Sequence, residues 1–347
     1  MTTAYLRMPS GLTAESRHVT VAEGVGKHDM ATVMVPNAQQ WRGYQDRPVV
    51  VSIVDGAHTK RIAGYIDTVA PVASGKDRRG AVFVLGGSSA MRSGTPRAWT
   101  DATPVNIARD LLQPYGFGLE MEAYEYRLPF FAQQGSASDW ATLNALAAEC
   151  GMVVHAYNTT VRMVHPATEL RRSVRTPQHT YTLDAGGINT FVGVNSLSPM
   201  GFEHRRFFGV DKFGSAFDLD VNPGQPVSVG SGETLTSLAA AQEAVQRAQK
   251  RRFLQRRATL DAIGAADVRA GDCLTIVEGS TRSLWFVMEA HHEFKAKQNT
   301  FRSEFALCRD DNDSAPTPAP HRGVGDRPAS VLVNGRWRSQ RGWSVTL

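Results

Sequence analysis

QQGSASDWATLNALAAECGM, residues Gln133 to Met152, carries the reading of the whole chain. Ser138 is a good N-cap, because its hydroxyl can accept from an orphan amide of the first turn, and Asp139 suits the positive end of the helix dipole. Trp140, Leu143, Leu146 and Ala147 recur at three- and four-residue spacing, which makes one face of a helix of about three turns apolar. Gly151 stands where a helix stop with positive φ belongs, and MVVHAY continues as an apolar strand. Upstream, Leu128 to Gln134 reads as extended. The predicted unit is strand, polar turn, capped helix, glycine stop, strand.

On its N-terminal side lies a second helix signal. Thr103-Pro104 offers an N-cap with proline at N1, Val105, Ile107, Ala108, Leu111 and Leu112 follow at helical spacing, and Pro114 with Gly116 ends the run before a strand from Phe117 to Ala123. Earlier still, from Leu6 to about Ala90, period-two alternation dominates: HVTV at 18–21, Met30 to Val35, VVVSIV within Arg47 to Asp55, Arg61 to Thr68, and Ala81 to Leu85. Asp55-Gly56 and the turn residues at 74–77 fit hairpin connections, so this part reads as a small antiparallel barrel or sandwich. Beyond Thr180 strands return, at Thr190 to Val194 and Phe213 to Leu219. A helix from about Glu233 to Arg256 follows, with Arg247, Lys250, Arg251, Arg252, Arg256 and Arg257 crowding its C-terminal end. The segment from Arg257 to Ala306 reads as strands. After Cys308 the chain turns charged and proline-rich, a linker or arm, and a last hairpin can form over Asn334-Gly335.

Composition bounds the function. With 347 residues and 42% hydrophobic content the chain has enough apolar mass for two or three domains. No apolar run reaches the roughly 18 residues of a membrane span, and MTTAYLRMPSG lacks the pattern of a secretory signal, so assembly in a cytoplasm is expected. Cys150, Cys273 and Cys308 are odd in number and far apart, which favours reduced, buried thiols over a disulfide framework or zinc site. A net charge of +5 permits an electropositive surface without demanding nucleic acid.

The stretch from Gln133 to Met152 resembles a signature of the phage tail hub family, which includes the baseplate hub of contractile tails, the late-control protein D group and the hub half of VgrG proteins. The matching residues are Gln133, Gln134, Ser138, Asp139, Trp140, Leu143, Leu146, Ala147, Glu149 and Gly151, while MVVHAY is less aromatic than the family's strand. The Thr-Pro helix and its strand also resemble the unit that precedes this signature in the family, and RIAGYIDTV is similar to a strand of its first barrel. Downstream, the arginine-rich helix is followed by Val268, Ala270, Gly271, Asp272, Leu274 and Ile276, then His292 and Phe294, in the family's order. The resemblance covers roughly Leu6 to Cys308.

It implies a mainly β fold with an α+β insert: two small β-barrels of similar topology, at residues 1–95 and 176–308, flank an α+β segment at 96–175. The basic helix (about 233–256) is inserted in the second barrel, and a linker and arm occupy 309–347. It further implies a structural protein of the virion tail, a homotrimer whose six barrels form a pseudo-sixfold ring between a hexameric tail tube or distal tail protein and a threefold spike or tip. DNA or effectors would pass through the lumen. No cofactor, small-molecule substrate or stable membrane insertion is implied.

Two other classes compete. A tail-tip cell-wall hydrolase would need a compact catalytic set. Ser136, Ser138, Asp139 and His155 are close in sequence, but no glycine-framed nucleophile elbow is present, and Ser138 and Asp139 are better used in a helix cap. His291 and His292, adjacent on a strand, face opposite sides of a sheet and cannot share a metal ion. Gly86-Gly87 and Gly186-Gly187 are turns rather than nucleotide cradles. A nucleic-acid-binding β-protein would use the basic run from Arg247 to Arg257 against phosphates, although few aromatics interleave with it and a solvated helix face or a dock for an acidic neighbour explains the same charges.

Overall fold

Alternation of apolar and polar side chains builds the five strands expected from His18 to Leu85, and the structure adds two ahead of them. In the computed structural model, which describes residues 2–56, 58–71, 78–122, 124, 127–133, 135–175, 179–183, 188–194, 205–210, 216–221, 256–298, 300–309, 329–333 and 336–340, seven strands come first: β1 (Thr2–Arg7), β2 (Thr13–Ser16), β3 (His18–Gly24), β4 (Met30–Val35), β5 (Pro48–Asp55), β6 (His58–Pro71) and β7 (Gly80–Gly86). They pair antiparallel in the order β2-β1-β5-β6-β7-β4-β3. Val19, Val21, Val33, Val51, Ile53, Ile66, Val82 and Val84 point inward and are buried in one core. Each such side chain contributes roughly 1.5–3 kcal/mol. Among the described residues no ladder joins the two ends of this set, so a barrel closed by hydrogen bonds is not formed. The sheet curls around its core until the Ser16 hydroxyl donates to Met34 O at 2.7 Å, where β2 meets β4.

The middle part holds β8 (Ala98–Ala102), α1 (Pro104–Leu112), β9 (Gly118–Met121), β10 (Leu128–Ala132), α2 (Asp139–Glu149), β11 (Val153–Tyr157), β12 (Thr160–Val164) and α3 (Pro166–Arg175). β8 pairs with β10, and β12 lies between β11 and β9, antiparallel to the first and parallel to the second. Thr103 Oγ1 caps α1 by accepting from Asn106 N at 3.3 Å, and Ser138 Oγ caps α2 by accepting from Ala141 N at 3.1 Å. α2 ends as its glycine predicts: Gly151 has φ +67°, Gly151 N donates to Ala148 O and Met152 N reaches back to Ala147 O at 2.8 Å. Ile107, Leu111, Leu143, Leu146, Val154 and Val161 make this part's own core. Sequence patterning placed no helix at α3 and no strand at β8.

Strands then resume: β13 (His179–Thr182), β14 (Ile188–Val194), β15 (Arg205–Val210), β16 (Ala216–Val221), β17 (Arg256–Ile263), β18 (Cys273–Glu278), β19 (Thr281–Lys295) and β20 (Thr300–Arg309), with β21 (Ala329–Val333) and β22 (Arg336–Gln340) near the end. The chain divides into two units. The larger contains Met1–Ser196 and Arg256–Asp310. The other, Leu197–Gln255 with Asp311–Leu347, contributes two antiparallel hairpins, β15–β16 and β21–β22. The helix expected at 233–256, with Arg247, Lys250, Arg251 and Arg252, falls outside the described residues up to Gln255, as do the turn at 74–77, Gln134, Gly186, Gly187, the proline-rich arm and Asn334-Gly335. Arg256 and Arg257 open strand β17 rather than ending a helix.

In the larger unit, β13, β14 and β17–β20 run in the order β13-β18-β19-β20-β17-β14. Numbering these strands 1 to 6 in chain order gives 1-4-5-6-3-2. The first set, with β2 left aside, reads β1-β5-β6-β7-β4-β3, the same permutation. Agreement extends to single residues. The bulge that shifts β6 against β7 falls at Asp67, and the one that shifts β19 against β20 falls at Met288. Just before each, a residue with positive φ (Asp46 +61°, Gly271 +90°) donates its amide to the strand: Asp46 N to Ile66 O and Gly271 N to Val287 O, both at 2.8 Å. The return bonds also match, Ile66 N to Arg47 O at 3.1 Å and Val287 N to Asp272 O at 2.9 Å. The two modules are therefore alike in topology, with one exception: β1 meets β5 antiparallel, whereas β13 meets β18 parallel. They fuse where β19 pairs antiparallel with β3, from Glu289 opposite Gly24 to Lys295 opposite His18. The result is one 13-stranded sheet around two cores, the second built from Leu260, Leu274, Ile276, Val287, Phe305 and Leu307.

Candidate assembly site

Helix α2 presents its N-terminus to the loop 93–97, and there the signature residues converge. Asp139 is fully buried. Its Oδ1 accepts from Gln133 Nε2 at 2.8 Å, and its Oδ2 accepts from Arg97 Nη2 at 2.8 Å and Tyr115 Oη at 2.9 Å. Gln133 Nε2 also donates to Ala137 O at 2.9 Å, closing the turn that precedes the helix. The cluster needs Gly94: a Cβ there would stand 2.3 Å from Gln133 Nε2 and 2.4 Å from Asp139 Oδ1. Arg97 extends the network by donating to Asp110 O at 2.6 Å, while Trp99 Nε1 donates to Asp110 Oδ2 at 3.0 Å, so α1 is tied to the same carboxylate. Burial, and then the hydrogen bond to Asp139, raise the Tyr115 phenol above its ordinary pKa.

One turn on, the helix grips the first β-module. Trp140 Nε1 donates to Gly26 O at 3.0 Å, and Gly26 N donates to Val154 O at 2.6 Å. Gly26 takes φ +75°, which favours glycine, and a Cβ there would meet Asn144 Oδ1 at 2.9 Å. His28 packs on Trp140 with ring centroids 5.2 Å apart. Leu143 and Leu146 fill the core beneath.

The opposite side of the middle part grips the second β-module. At Gly271 a Cβ would stand 2.8 Å from His155 Cδ2. Asp272 folds back on its own loop, with Oδ2 accepting from Arg269 N at 2.8 Å, and Arg269 lays its guanidinium 4.1 Å over the Tyr157 ring. Burial pushes the His155 imidazole down to about 4. The modules also meet through a buried pair: Lys60 of β6 bonds Glu23 of β3 and donates to Val268 O at 2.9 Å. Burial holds the Lys60 ammonium below its usual range against the pull of Glu23, and burial, then Glu23, raise the Asp29 carboxyl well above its own.

His292 is fully buried on β19, its Nδ1 2.8 Å from Ser303 Oγ, and burial lowers its pKa strongly. His291 is exposed on the other face, as adjacency on a strand requires. Among the described residues no group of His, Cys, Asp or Glu could hold a metal ion, and all three cysteines are buried and form no disulfide. Ser136 and Ser138 lie at the turn and the cap, separated by α2 from His155 on β11. The structure thus brings Gln133, Ser138, Asp139 and Trp140 into one anchor and places Gly271 and Asp272 at a second. It leaves His292 in the sheet interior. The partners that sequence reading missed are Gly94, Arg97, Tyr115, Glu23 and Lys60. Their signal was absent because each contact spans 24 residues or more of chain.

No family model and no curated protein sequence matches the chain. Solved structures share its fold. The tail protein from Neisseria meningitidis MC58 matches with a TM-score of 0.65 at 12% identity, over 89% of this chain and 96% of that one. A 43 kDa tail protein of prophage MuSo2 from Shewanella oneidensis matches at 0.61 and 11% identity, covering 89% and 98%. An E. coli component of the type VI secretion system, described as structurally similar to the T4 tail proteins gp27 and gp5, matches at 0.58 and 10% identity, covering 94% and 81%. The chain shares its fold with these tail proteins and the type VI secretion component.

Proposed function

We propose that this chain is a structural hub subunit of a phage or phage-like tail. Three copies form a ring of six β-modules that joins a sixfold tube to a threefold spike or tip. The observation that carries the reading is the repeated module: two strand sets with one permutation and matching bulges, fused side by side, let one chain present nearly the same edge and face twice. Rings grow from heterologous contacts that close by rotation, and a two-module subunit converts threefold into approximate sixfold symmetry. The anchors at Asp139–Trp140 and Gly271–His155 fit this task, since the first holds the middle part to one module through buried hydrogen bonds and the second packs it closely against the other.

The test is the mass of the purified protein in solution, followed by low-resolution images of the particle. A threefold ring beside a sixfold one supports the proposal. A protein that remains monomeric both alone and in the presence of tail tube overturns it. Hydrolysis of peptidoglycan would favour the hydrolase, and DNA binding that weakens steeply with salt would favour the nucleic-acid reading.

A further inference from the structure

The joint between the two modules inside one chain has an unused counterpart at the chain's outer edges. β19 is long enough to serve two neighbours on one side: its first half pairs with β18, and past the bulge at Met288 its second half pairs with β3. β6 is built alike. Its first half pairs with β5 up to Tyr65, and past the bulge at Asp67 the stretch Thr68–Pro71 has, among the described residues, no strand on that side. The counterpart of β3 in the second module is β14, which among the described residues pairs only with β17. Thr68 and Asp67 are exposed, and Val69 and Ala70 are partly so.

We infer that the end of β6 at Ala70–Pro71 pairs antiparallel with the end of β14 at Gly193–Val194 of the next copy, repeating between chains part of the β19–β3 joint found within one. This rests on the trimeric-hub reading and specifies its contact. The ladders fix the register. Aligning the bulges sets Ala70 level with His291. Following the ladders through β7 and β4 on one side, and β20 and β17 on the other, sets Val194 level with Ala22 and Gly193 level with Val21. His291 lies opposite Ala22, and His292 opposite Val21. Ala70 of one copy therefore lies opposite Val194 of the next, and Pro71 opposite Gly193.

Hydrogen-bond parity follows from Val25 N donating to Met288 O at 2.9 Å, which makes that pair a bonded one. Bonded and non-bonded pairs alternate, so His291–Ala22, and with it Ala70–Val194, is non-bonded, with Cα atoms about 4.5 Å apart. Pro71 falls at a bonded pair and supplies no N–H, so the Pro71–Gly193 pair has one bond where its counterpart His292–Val21 has two. Proline also blunts this edge against indiscriminate pairing.

The experiment is the double variant Ala70→Cys with Val194→Cys, oxidised with diamide after assembly. The Cα separation of a non-bonded pair suits a disulfide, and the native cysteines are buried. Covalently linked trimers on a non-reducing gel, absent from either single variant, are the expected result. A second measurement uses the unmodified protein: amide exchange at Gly193, whose N–H donates to Pro71 O in this register, should slow on assembly. If trimers form but neither cross-link nor protection is seen, this joint is wrong and the hub reading survives. If no trimer forms even with tube present, the hub reading fails and the joint with it.

Discussion

Replacing Asp139 by alanine tests whether the signature is an anchor or a helix cap. As a first-turn carboxylate on a surface helix, Asp139 would contribute about 0.3–1 kcal/mol through the dipole. In the structure it is fully buried and receives three side-chain donors, from Gln133, Arg97 and Tyr115. Removing one partner of a buried charge pair costs about 3–5 kcal/mol, because the remaining charge is left uncompensated. The Arg97 side chain is 26% exposed and can recover some hydration, so the lower end, about 3 kcal/mol, is expected. Asp139→Asn keeps an acceptor for Arg97 and Tyr115 but sets its amide against the donor of Gln133, so it should lose less, about 1.5–3 kcal/mol. In a unit of this size 3 kcal/mol lowers the melting temperature by roughly 6–12 °C. Thermal unfolding by circular dichroism and a urea titration would read both variants. A double variant with Arg97→Ala should be less destabilised than the sum of the singles by at least about 1 kcal/mol. An Asp139→Ala protein within about 0.5 kcal/mol of the parent would refute the buried-anchor reasoning.

Other outcomes follow from the same geometry. Gly271→Ala meets both a positive φ of +90° and a Cβ contact of 2.8 Å to His155, so a loss of about 2 kcal/mol or more is expected in urea unfolding. Lys60→Met strands the Glu23 carboxylate and should cost about 3–5 kcal/mol, much of it regained when Glu23→Leu is added; no recovery in the double variant would count against the pair. Stability should fall as pH drops from 6.5 toward 4: the unfolded imidazole of His155 takes up a proton that the folded one, held to about 4, refuses. That contribution is complete above pH 6.5, and up to about 3 kcal/mol of it is lost by pH 4. His155→Gln should flatten, not abolish, this slope, since His292 acts in the same direction while the raised Asp29 carboxyl acts in the opposite one. An unchanged slope in His155→Gln would show that the imidazole is not the group responsible.

Local chemistry was readable from the chain alone. Ser138, Asp139 and Gly151 marked α2 because a cap, a first-turn charge and a left-handed stop act within a few residues of one another. Ile62, Gly64 and Ile66 against Arg61, Tyr65 and Asp67 marked β6 because strand faces alternate. Helix α3 was missed: PATELRRSVR carries its apolar positions sparsely, and part of its stability comes from packing on β18 and β19. Pairing between distant segments was not local information. That Asp139 would take Arg97 and Tyr115, that Lys60 would find Glu23 and Val268, and that β19 would cross from one module's core to the other's depended on where whole strands come to lie. The sequence by itself determined the elements and their faces, since propensity, capping and periodicity operate over a turn or two. Tertiary structure alone decided the shared strand permutation and the fused joint, because hydrogen-bond ladders repeat a backbone pattern that dissimilar side chains can equally well cover.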